Sequence, residues 1–170
     1  MTWRATFEPL IGKTLEGFAL KPIIGDLTRV VSELAQPTIW YSGAIRLGFS
    51  GCSETALTWK STTGGDCYLA VGTDESWRPF SLADLPMGFE ERWAGAVGAV
   101  LSAVSIYRLT DSDAGVGAVC QQFSNSRALW VAVGREESEV LGEGDDLCVS
   151  LKRPNGMDAL SLSETIGSAA

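Results

Sequence analysis

One pattern occurs twice in this chain, first as Leu10-Ile-Gly12-Lys-Thr-Leu15-Glu-Gly-Phe18-Ala-Leu20 and again as Ala96-Val-Gly98-Ala-Val-Leu101-Ser-Ala-Val104-Ser-Ile106. Both copies read apolar-apolar-Gly-x-x-Leu-x-x-apolar-x-apolar, and they lie 86 residues apart. The second copy also fits a helix, but the first contains glycines and a threonine, which are poor helix formers. We therefore interpret both copies as strands. Because a sequence repeat indicates a repeated structural unit, the pattern predicts two related halves.

Two further matches keep the same order along the chain. Phe49-Ser50 with Ala56-Leu57 resembles Phe123-Ser124 with Ala128-Leu129, and Leu69-Ala-Val-Gly72 resembles Val131-Ala-Val-Gly134. The offset falls to 62 residues at the last match, which predicts a shorter second half. We expect one domain built from two half-units, residues 7–76 and 93–152, joined by an apolar connector at 77–92. Residues 155–170 carry little pattern, and we expect this tail to fray.

The remaining sequence contains one helical segment and many short apolar runs. Residues 26–36 place apolar side chains at i, i+3, i+4 and i+7, with Asp26 at the N-cap and Pro37 beyond the end. The predicted strands are Ile39–Phe49, Thr55–Lys60, Tyr68–Gly72, Val97–Leu109, Val116–Phe123, Ala128–Gly134 and Leu147–Lys152. Short strands with turn residues between them are typical of antiparallel meanders. The predicted fold class is α+β, mainly antiparallel β, with one clear helix at 26–36.

The chain is acidic, with 13 basic and 21 acidic side chains among 170 residues and a net charge of −8. Such a field repels phosphate backbones and anionic headgroups, so we expect neither nucleic-acid nor membrane-surface binding. It favours encounter with a basic partner. Charged residues interrupt the first thirty positions, and the longest uncharged apolar run, 94–107, is shorter than the about 20 residues of a membrane span. We expect a cytoplasmic location.

Residues suited to catalysis are scarce. The chain has no histidine, which removes the commonest general base and most zinc sites. Gly64-Gly65-Asp66 and Asp111-Ser-Asp113-Ala-Gly115 are good turn sequences, and the second lacks the closing glutamate of a calcium loop. The four separated cysteines predict free thiols, with Cys120 and Cys148 buried in strands. We expect no enzyme activity, no cofactor and no metal, and we expect five of the six tryptophans (Trp3, Trp40, Trp59, Trp93 and Trp130) at or beside the core.

One strongly acidic segment, Glu136–Asp146, is the candidate binding site. It contains six acids and no base in eleven residues, and it carries Val140 and Leu141 in its middle. Three interpretations stay open: a solvated loop, a docking surface for a basic partner, and a site for a hard cation. An apolar anchor inside an acidic rim favours docking. The candidate partner-binding residues are Glu136, Glu137, Glu139, Val140, Leu141, Glu143, Asp145 and Asp146.

A resemblance to a known class of protein rests on four stretches of sequence taken together. They are the opening Pro9-Leu-Ile-Gly12-x-x-Leu15, its second copy, the predicted strand segment Ile45-Arg-Leu-Gly-Phe49 and the strand entry Gly144-Asp-Asp-Leu147. The chain resembles small bacterial immunity proteins of polymorphic toxin and type VI secretion systems. That resemblance implies steric occlusion of a cognate toxin with a basic active-site cleft, and it implies no catalytic residue.

Two alternatives come from other classes of protein. A secretion chaperone is also small and acidic, but it requires more helix than this sequence predicts. A small carboxylate-based enzyme or a metal- or ligand-binding module would use Asp111 and Asp113 with Glu136. The sequence does not predict the oligomeric state.

Overall fold

The computed structural model describes residues 2–61, 67–72, 81–87, 91–109, 115–141 and 144–168. Its helices are short: α1 is Trp3–Phe7, α2 is Leu27–Ser32 and α3 is Glu91–Ala94. Its strands are β1 Leu15–Pro22, β2 Thr38–Tyr41, β3 Gly43–Phe49, β4 Thr55–Ser61, β5 Cys67–Gly72, β6 Leu85–Pro86, β7 Leu101–Leu109, β8 Val116–Phe123, β9 Ala128–Arg135, β10 Val140–Leu141, β11 Asp146–Ser150 and β12 Leu160–Gly167. The described strands pair antiparallel, which confirms the mainly antiparallel β prediction.

The strands form two runs within one curled sheet. The first run has the order β6-β1-β3-β4-β5, and the second has the order β12-β7-β8-β9-β11. In each run the strand that comes last in the chain pairs with the strand that comes first: β6 pairs with β1, and β12 pairs with β7. A bridge between Leu69 of β5 and Val116 of β8 joins the runs, and β2 adds to the free side of β11.

The two copies of the Gly-x-x-Leu pattern lie against each other where the runs begin. Gly12 N donates to Leu101 O at 2.8 Å, and Gly98 N donates to Leu15 O at 2.8 Å. Thr14 and Val100 form the bridge between them. Each run also has a register shift just after its Leu15 or Leu101. The strands predicted at both copies are present, although they begin at the leucines and the glycines lie in the preceding turns.

The third sequence match compared strands that occupy different places. Residues 69–72 lie in β5, the strand after β4 in the first run. Residues 131–134 lie in β9, which occupies the place of β4 in the second run. In the ladders Leu69-Ala-Val71 corresponds instead to Leu147-Cys-Val149 of β11. Apolar-Ala-Val-Gly is a common strand-end sequence, so similarity of four residues was not enough to identify equivalent strands.

Several boundaries differ from the sequence prediction. The predicted helix 26–36 is shorter, because residues 24–26 form a 3-10 turn and α2 ends at Ser32. Asp26 makes no side-chain cap hydrogen bond, and Val31 is 48% exposed, so the apolar stripe is narrower than expected. The predicted strand Ile39–Phe49 is divided into β2 and β3, which pair with different neighbours.

The chain's last described segment also corrects the prediction. Residues 160–167 form β12, an eight-residue strand along β7, so fraying does not describe this part of the predicted tail. Its ends are fixed by Leu160 and Ile166, which are 8% and 1% exposed, while the residues between them face solvent or lie at intermediate depth. The weak sequence pattern reflects a strand that buries only two apolar side chains. The predicted connector 77–92 lies partly outside the described residues, but its Met87 and the following Trp93 are fully buried.

Two cores lie on opposite faces of the second run. The main core takes side chains from both runs, including Leu20, Ile45, Val119 and Val131. The second core lies on the other face of β8, β9, β11 and β2, and it contains Trp40, Ala118, Cys120, Trp130, Ala132, Leu141, Cys148, Met157 and Leu160. Alternation along a strand explains the division, since neighbouring residues point to opposite faces. The five tryptophans predicted at or beside the core are all buried or half-buried.

Within the described ranges, none of the helices is long and apolar enough to cross a membrane.

Candidate functional site

Residues 136–141 of the acidic segment form a tight hairpin on the end of β9. After Arg135, residues Glu136–Ser138 make one 3-10 turn, and Glu139 adopts the left-handed conformation with φ 50° and ψ 32°. The chain then turns back as β10, in which Val140 pairs with Arg135 and Leu141 with Gly134. The hairpin therefore continues the sheet and is not a free loop.

The apolar pair in the middle of this segment is divided between the interior and the surface. Leu141 is 1% exposed and belongs to the second core, where Trp40, Trp130 and Met157 also lie. Val140 is half-buried. The expectation that Leu141 is an apolar anchor at the surface is therefore wrong. Neighbouring residues of a strand point to opposite faces, and in β10 the side chain of Leu141 lies on the face that packs in the second core. Leu141 instead fixes the acidic hairpin to the body of the protein.

The acidic side chains of the segment occupy two different environments. Glu137, Glu139 and Asp145 are exposed, and we call these three residues the acidic rim. Glu136 and Asp146 are half-buried. Glu143, also predicted as a partner-binding residue, lies outside the described residues.

Glu136 reaches an arginine from a distant part of the chain. Arg29 Nη1 of α2 donates to Glu136 Oε2 at 3.0 Å and to Oε1 at 3.2 Å. The same guanidinium lies 3.6 Å from Asp26 Oδ2 and 3.6 Å from Glu33 Oε1. We call these four residues the Arg29 cluster. One cation therefore faces three carboxylates, which leaves a net charge of −2 in the cluster.

A second group of contacts holds the cluster against the end of β11. The backbone N of Glu136 donates to Asp146 Oδ2 at 3.3 Å, and Ser42 Oγ donates to Asp146 Oδ1 at 3.2 Å. The backbone N of Ser42 donates to Asp26 Oδ2 at 3.2 Å. Ser42 thus connects Asp26 with Asp146, so two carboxylates are held beside Glu136 by neutral donors.

The pKa of the Glu136 carboxyl reflects the charges gathered around it. Partial burial raises the pKa of Glu136 above its ordinary value, and Arg29 opposes that rise. Glu33, Asp146 and Asp26 each raise this pKa further, because each carboxylate disfavours a second negative charge nearby. Excess negative charge is therefore concentrated here, and an added cation would be attracted.

Among the residues that the structure describes, the other candidates from the sequence give no competing site. Burial raises the pKa of the Cys120 thiol to about 12 and also raises the pKa of Cys148, so neither is a ready nucleophile. Asp111, Asp113 and the Gly64–Asp66 turn lie outside the described residues. Among the residues that are described, no group of three or more His, Cys, Asp or Glu side chains is placed to hold a metal ion.

Two further depressions adjoin Cys52, which is half-buried with a free thiol. One, of about 330 Å³, is lined by Arg46 and Glu54, and their side chains are paired at 3.5 Å. The other, of about 500 Å³, is mainly apolar and lies between α1 and the ends of β4 and β5. Arg46 is also paired with Asp84 at 3.2 Å, so its charge is already compensated.

Sequence reasoning missed the contribution of α2 to the site. The spacing of Asp26, Arg29 and Glu33 at i, i+3 and i+7 is typical of ion pairs along one helix face, and it was a readable signal. The contact between Arg29 and Glu136 joins residues 107 positions apart and depends on β2 pairing with β11. No sequence pattern indicates that pairing.

Comparison with protein-family models, with curated proteins and with solved structures finds no match for this chain.

Proposed function

We propose that this protein is a non-enzymatic binding protein that docks a basic partner on the acidic rim and the Arg29 cluster. More specifically, the proposal is that this protein is an immunity protein, which neutralises a cognate antibacterial toxin by covering the toxin's active site. The observation that carries the proposal is the gathering of carboxylates from both ends of α2 and from the hairpin around one arginine, Arg29. Asp146 of β11 adds a further carboxylate, which accepts a hydrogen bond from the backbone N of Glu136.

Electrostatics supports a cationic partner over a merely solvated surface. The Arg29 cluster and Asp146 bring four carboxylates together with one guanidinium, and the acidic rim adds three exposed carboxylates from the same acidic segment. Like charges held this close repel each other, and a basic surface would relieve that repulsion on binding. The same field would accelerate encounter with a basic partner, with an effect that salt screens.

Rigidity also supports docking. The hairpin is paired to β9 through β10 and is fixed by the buried Leu141, while Glu136 is held by Arg29 and Asp146. A surface that keeps its shape loses little conformational entropy on binding, which favours affinity. A solvated loop would gain nothing from such anchoring.

The proposal is tested first with a partner captured by the tagged protein from extracts of its native host. We expect the captured protein to be toxic when expressed alone in a bacterial host and harmless when this protein is expressed with it. Substituting Glu137, Glu139 and Asp145 together by Lys should remove this protection. The matched control replaces Glu8, Glu16 and Glu91 by Lys, since these exposed acids lie outside the site and the charge change is identical. Equal protection by both triple variants would overturn the docking site.

We also propose that the two runs of strands derive from one duplicated unit. The reciprocal bonds of Gly12 and Gly98 support this, as do two further pairs of bonds. Ser50 N donates to Thr14 O and Ser124 N donates to Val100 O, each at 2.9 Å. In return, Thr14 N donates to Ser50 Oγ and Val100 N donates to Ser124 Oγ.

The glycines provide a test of this duplication. Gly12 and Gly98 have φ of 81° and 85°, and neither has an atom within 4 Å of where a Cβ would lie. Replacing either by Ala therefore introduces backbone strain without a clash, which costs about 1 kcal/mol. Urea unfolding should give the same loss for both variants. Losses that differ by more than about 1 kcal/mol would contradict equivalent positions.

A further inference from the structure

A small pocket lies beside the acidic rim, at the end of β2. It has a volume of about 230 Å³ and is lined by Gln36, Pro37, Thr38, Trp40, Glu139, Lys152, Pro154 and Asn155. We call it the Trp40 pocket. Its walls come from three separate segments, and one of them is the acidic hairpin. The pocket is below the usual size of about 300–1,000 Å³ for drug-sized ligands. That volume suits a single side chain better than a cofactor.

The walls of the Trp40 pocket are held together by close backbone and side-chain contacts. Asn155 Nδ2 donates to Glu139 Oε2 at 2.8 Å. Gly156 has φ of 79°, and a Cβ there would lie 2.6 Å from Glu139 O. Thr38, from another segment of the lining, is also held, because Thr38 Oγ1 and Ser150 Oγ share a hydrogen bond of 2.7 Å. The pocket is therefore formed before any ligand arrives.

Glu139 occupies a backbone conformation that its side chain does not favour. The left-handed region costs a residue other than glycine or asparagine about 1–2 kcal/mol. A glycine would satisfy this turn better. The glutamate that stands there has its carboxylate fixed by Asn155 at the pocket wall, and strained residues of this kind are often functional.

The chemistry of the lining favours a guanidinium. Trp40 is 8% exposed, so only part of its indole reaches the surface, and an aromatic face attracts a planar cation. Glu139 supplies the carboxylate that a guanidinium pairs with, and the other two residues of the acidic rim, Glu137 and Asp145, add negative potential. Lys152 on the wall opposes a cation, so it limits affinity and keeps the occupant toward Glu139.

We propose that the Trp40 pocket receives one arginine side chain of the basic partner, stacked on Trp40 and paired with Glu139. This inference rests on the proposed docking function and adds the residue type that is recognised. An arginine in the pocket would fix the orientation of the partner, whereas the acidic rim supplies a field without direction.

L-arginine amide is the probe, and the indole N–H resonance of Trp40 in the intact protein is the readout, assigned with Trp40→Phe. We expect arginine amide to shift this resonance and L-lysine amide to bind several-fold more weakly. Glu139→Gln should weaken arginine amide binding about tenfold, through loss of a charge-assisted contact. The control Asp158→Asn removes an exposed carboxylate outside the lining and should leave binding unchanged.

The effect of Lys152→Met on binding tells whether the pocket favours a cationic or an anionic occupant. If the occupant is a guanidinium, this variant binds arginine amide several-fold more tightly, because a like charge has been removed. Weaker binding by Lys152→Met, or equal effects of Glu139→Gln and Asp158→Asn, would overturn the pocket. Either result would leave docking on the acidic rim intact. Conversely, protection that survives replacement of Glu137 and Asp145 by Lys, with Glu139 of the pocket left in place, together with arginine amide binding at the pocket, would overturn docking on the rim alone.

Discussion

Gln121 offers a way to stabilise the protein by changing one buried side chain. Gln121 lies in β8, is 0% exposed, and neither its Nε2 nor its Oε1 has a hydrogen-bond partner within the described part of the chain. Its ladder partners are Val104 and Leu129, both in the main core. The corresponding place in the first run, on β3 between β1 and β4, is held by Leu47, which is also 0% exposed.

The magnitude follows from the cost of burying an unpaired amide. Leaving a polar group unsatisfied in the interior costs about 1–3 kcal/mol, and an apolar group of the same shape avoids that cost. Met preserves the length of the side chain, and Leu reproduces the residue of the first run. We expect Gln121→Met and Gln121→Leu to raise the free energy of unfolding by about 1–3 kcal/mol. For a chain of this size, that corresponds to an increase in Tm of about 2–12 °C.

Urea unfolding and thermal melting of both variants provide the measurement. Gln122→Met is the control, since it makes the same change one residue along, where the side chain lies on the other face of β8 and is half-buried. We expect this control to stay within about 0.5 kcal/mol of the wild type. Loss of more than about 1 kcal/mol in both Gln121 variants would refute the reasoning, because it would mean that the amide is paired in solution.

Two further predictions concern the site. Leu141→Ala should lower the free energy of unfolding by about 2–5 kcal/mol, because Leu141 is buried in the second core. Val140 is half-buried, so Val140→Ala should lower it by only about 1 kcal/mol. If urea unfolding gives similar small losses for both variants, the inward position of Leu141 is wrong. Arg29→Ala should destabilise by about 1 kcal/mol at low salt, because three carboxylates lose their shared cation, and the loss should shrink in 1 M NaCl. Lys13→Ala, a change of equal charge at an exposed position, is the control; a loss for Arg29→Ala that salt leaves unchanged would contradict the electrostatic account.

Local sequence pattern predicted the strands well where both faces of the strand are informative. Val116–Phe123 was predicted with the observed bounds, because its apolar residues face two cores and turn residues flank it. β12 was missed because it buries little, and α2 was predicted too long because residues 33–36 continue a helical spacing that Pro37 and the entry into β2 interrupt.

The site could be predicted only in part, for a related reason. The charge run at Glu136–Asp146 is visible in the sequence, and so is its hairpin-like position between two strands. The inward direction of Leu141 depends on the register of β10 against β9. The Arg29 cluster and the Trp40 pocket depend on long-range contacts of β2 and α2, which local spacing does not encode.

The rate of association between this protein and its captured partner tests the central claim most directly. We expect simultaneous replacement of Glu137, Glu139 and Asp145 by Lys to slow association at least tenfold in 50 mM NaCl, with Tm changed by less than about 2 °C. The difference from wild type should nearly vanish in 500 mM NaCl, where surface charges are screened. Association as fast as that of the wild type at low salt, or a loss equal to that of the Glu8, Glu16 and Glu91 control, would contradict a docking surface on the acidic rim.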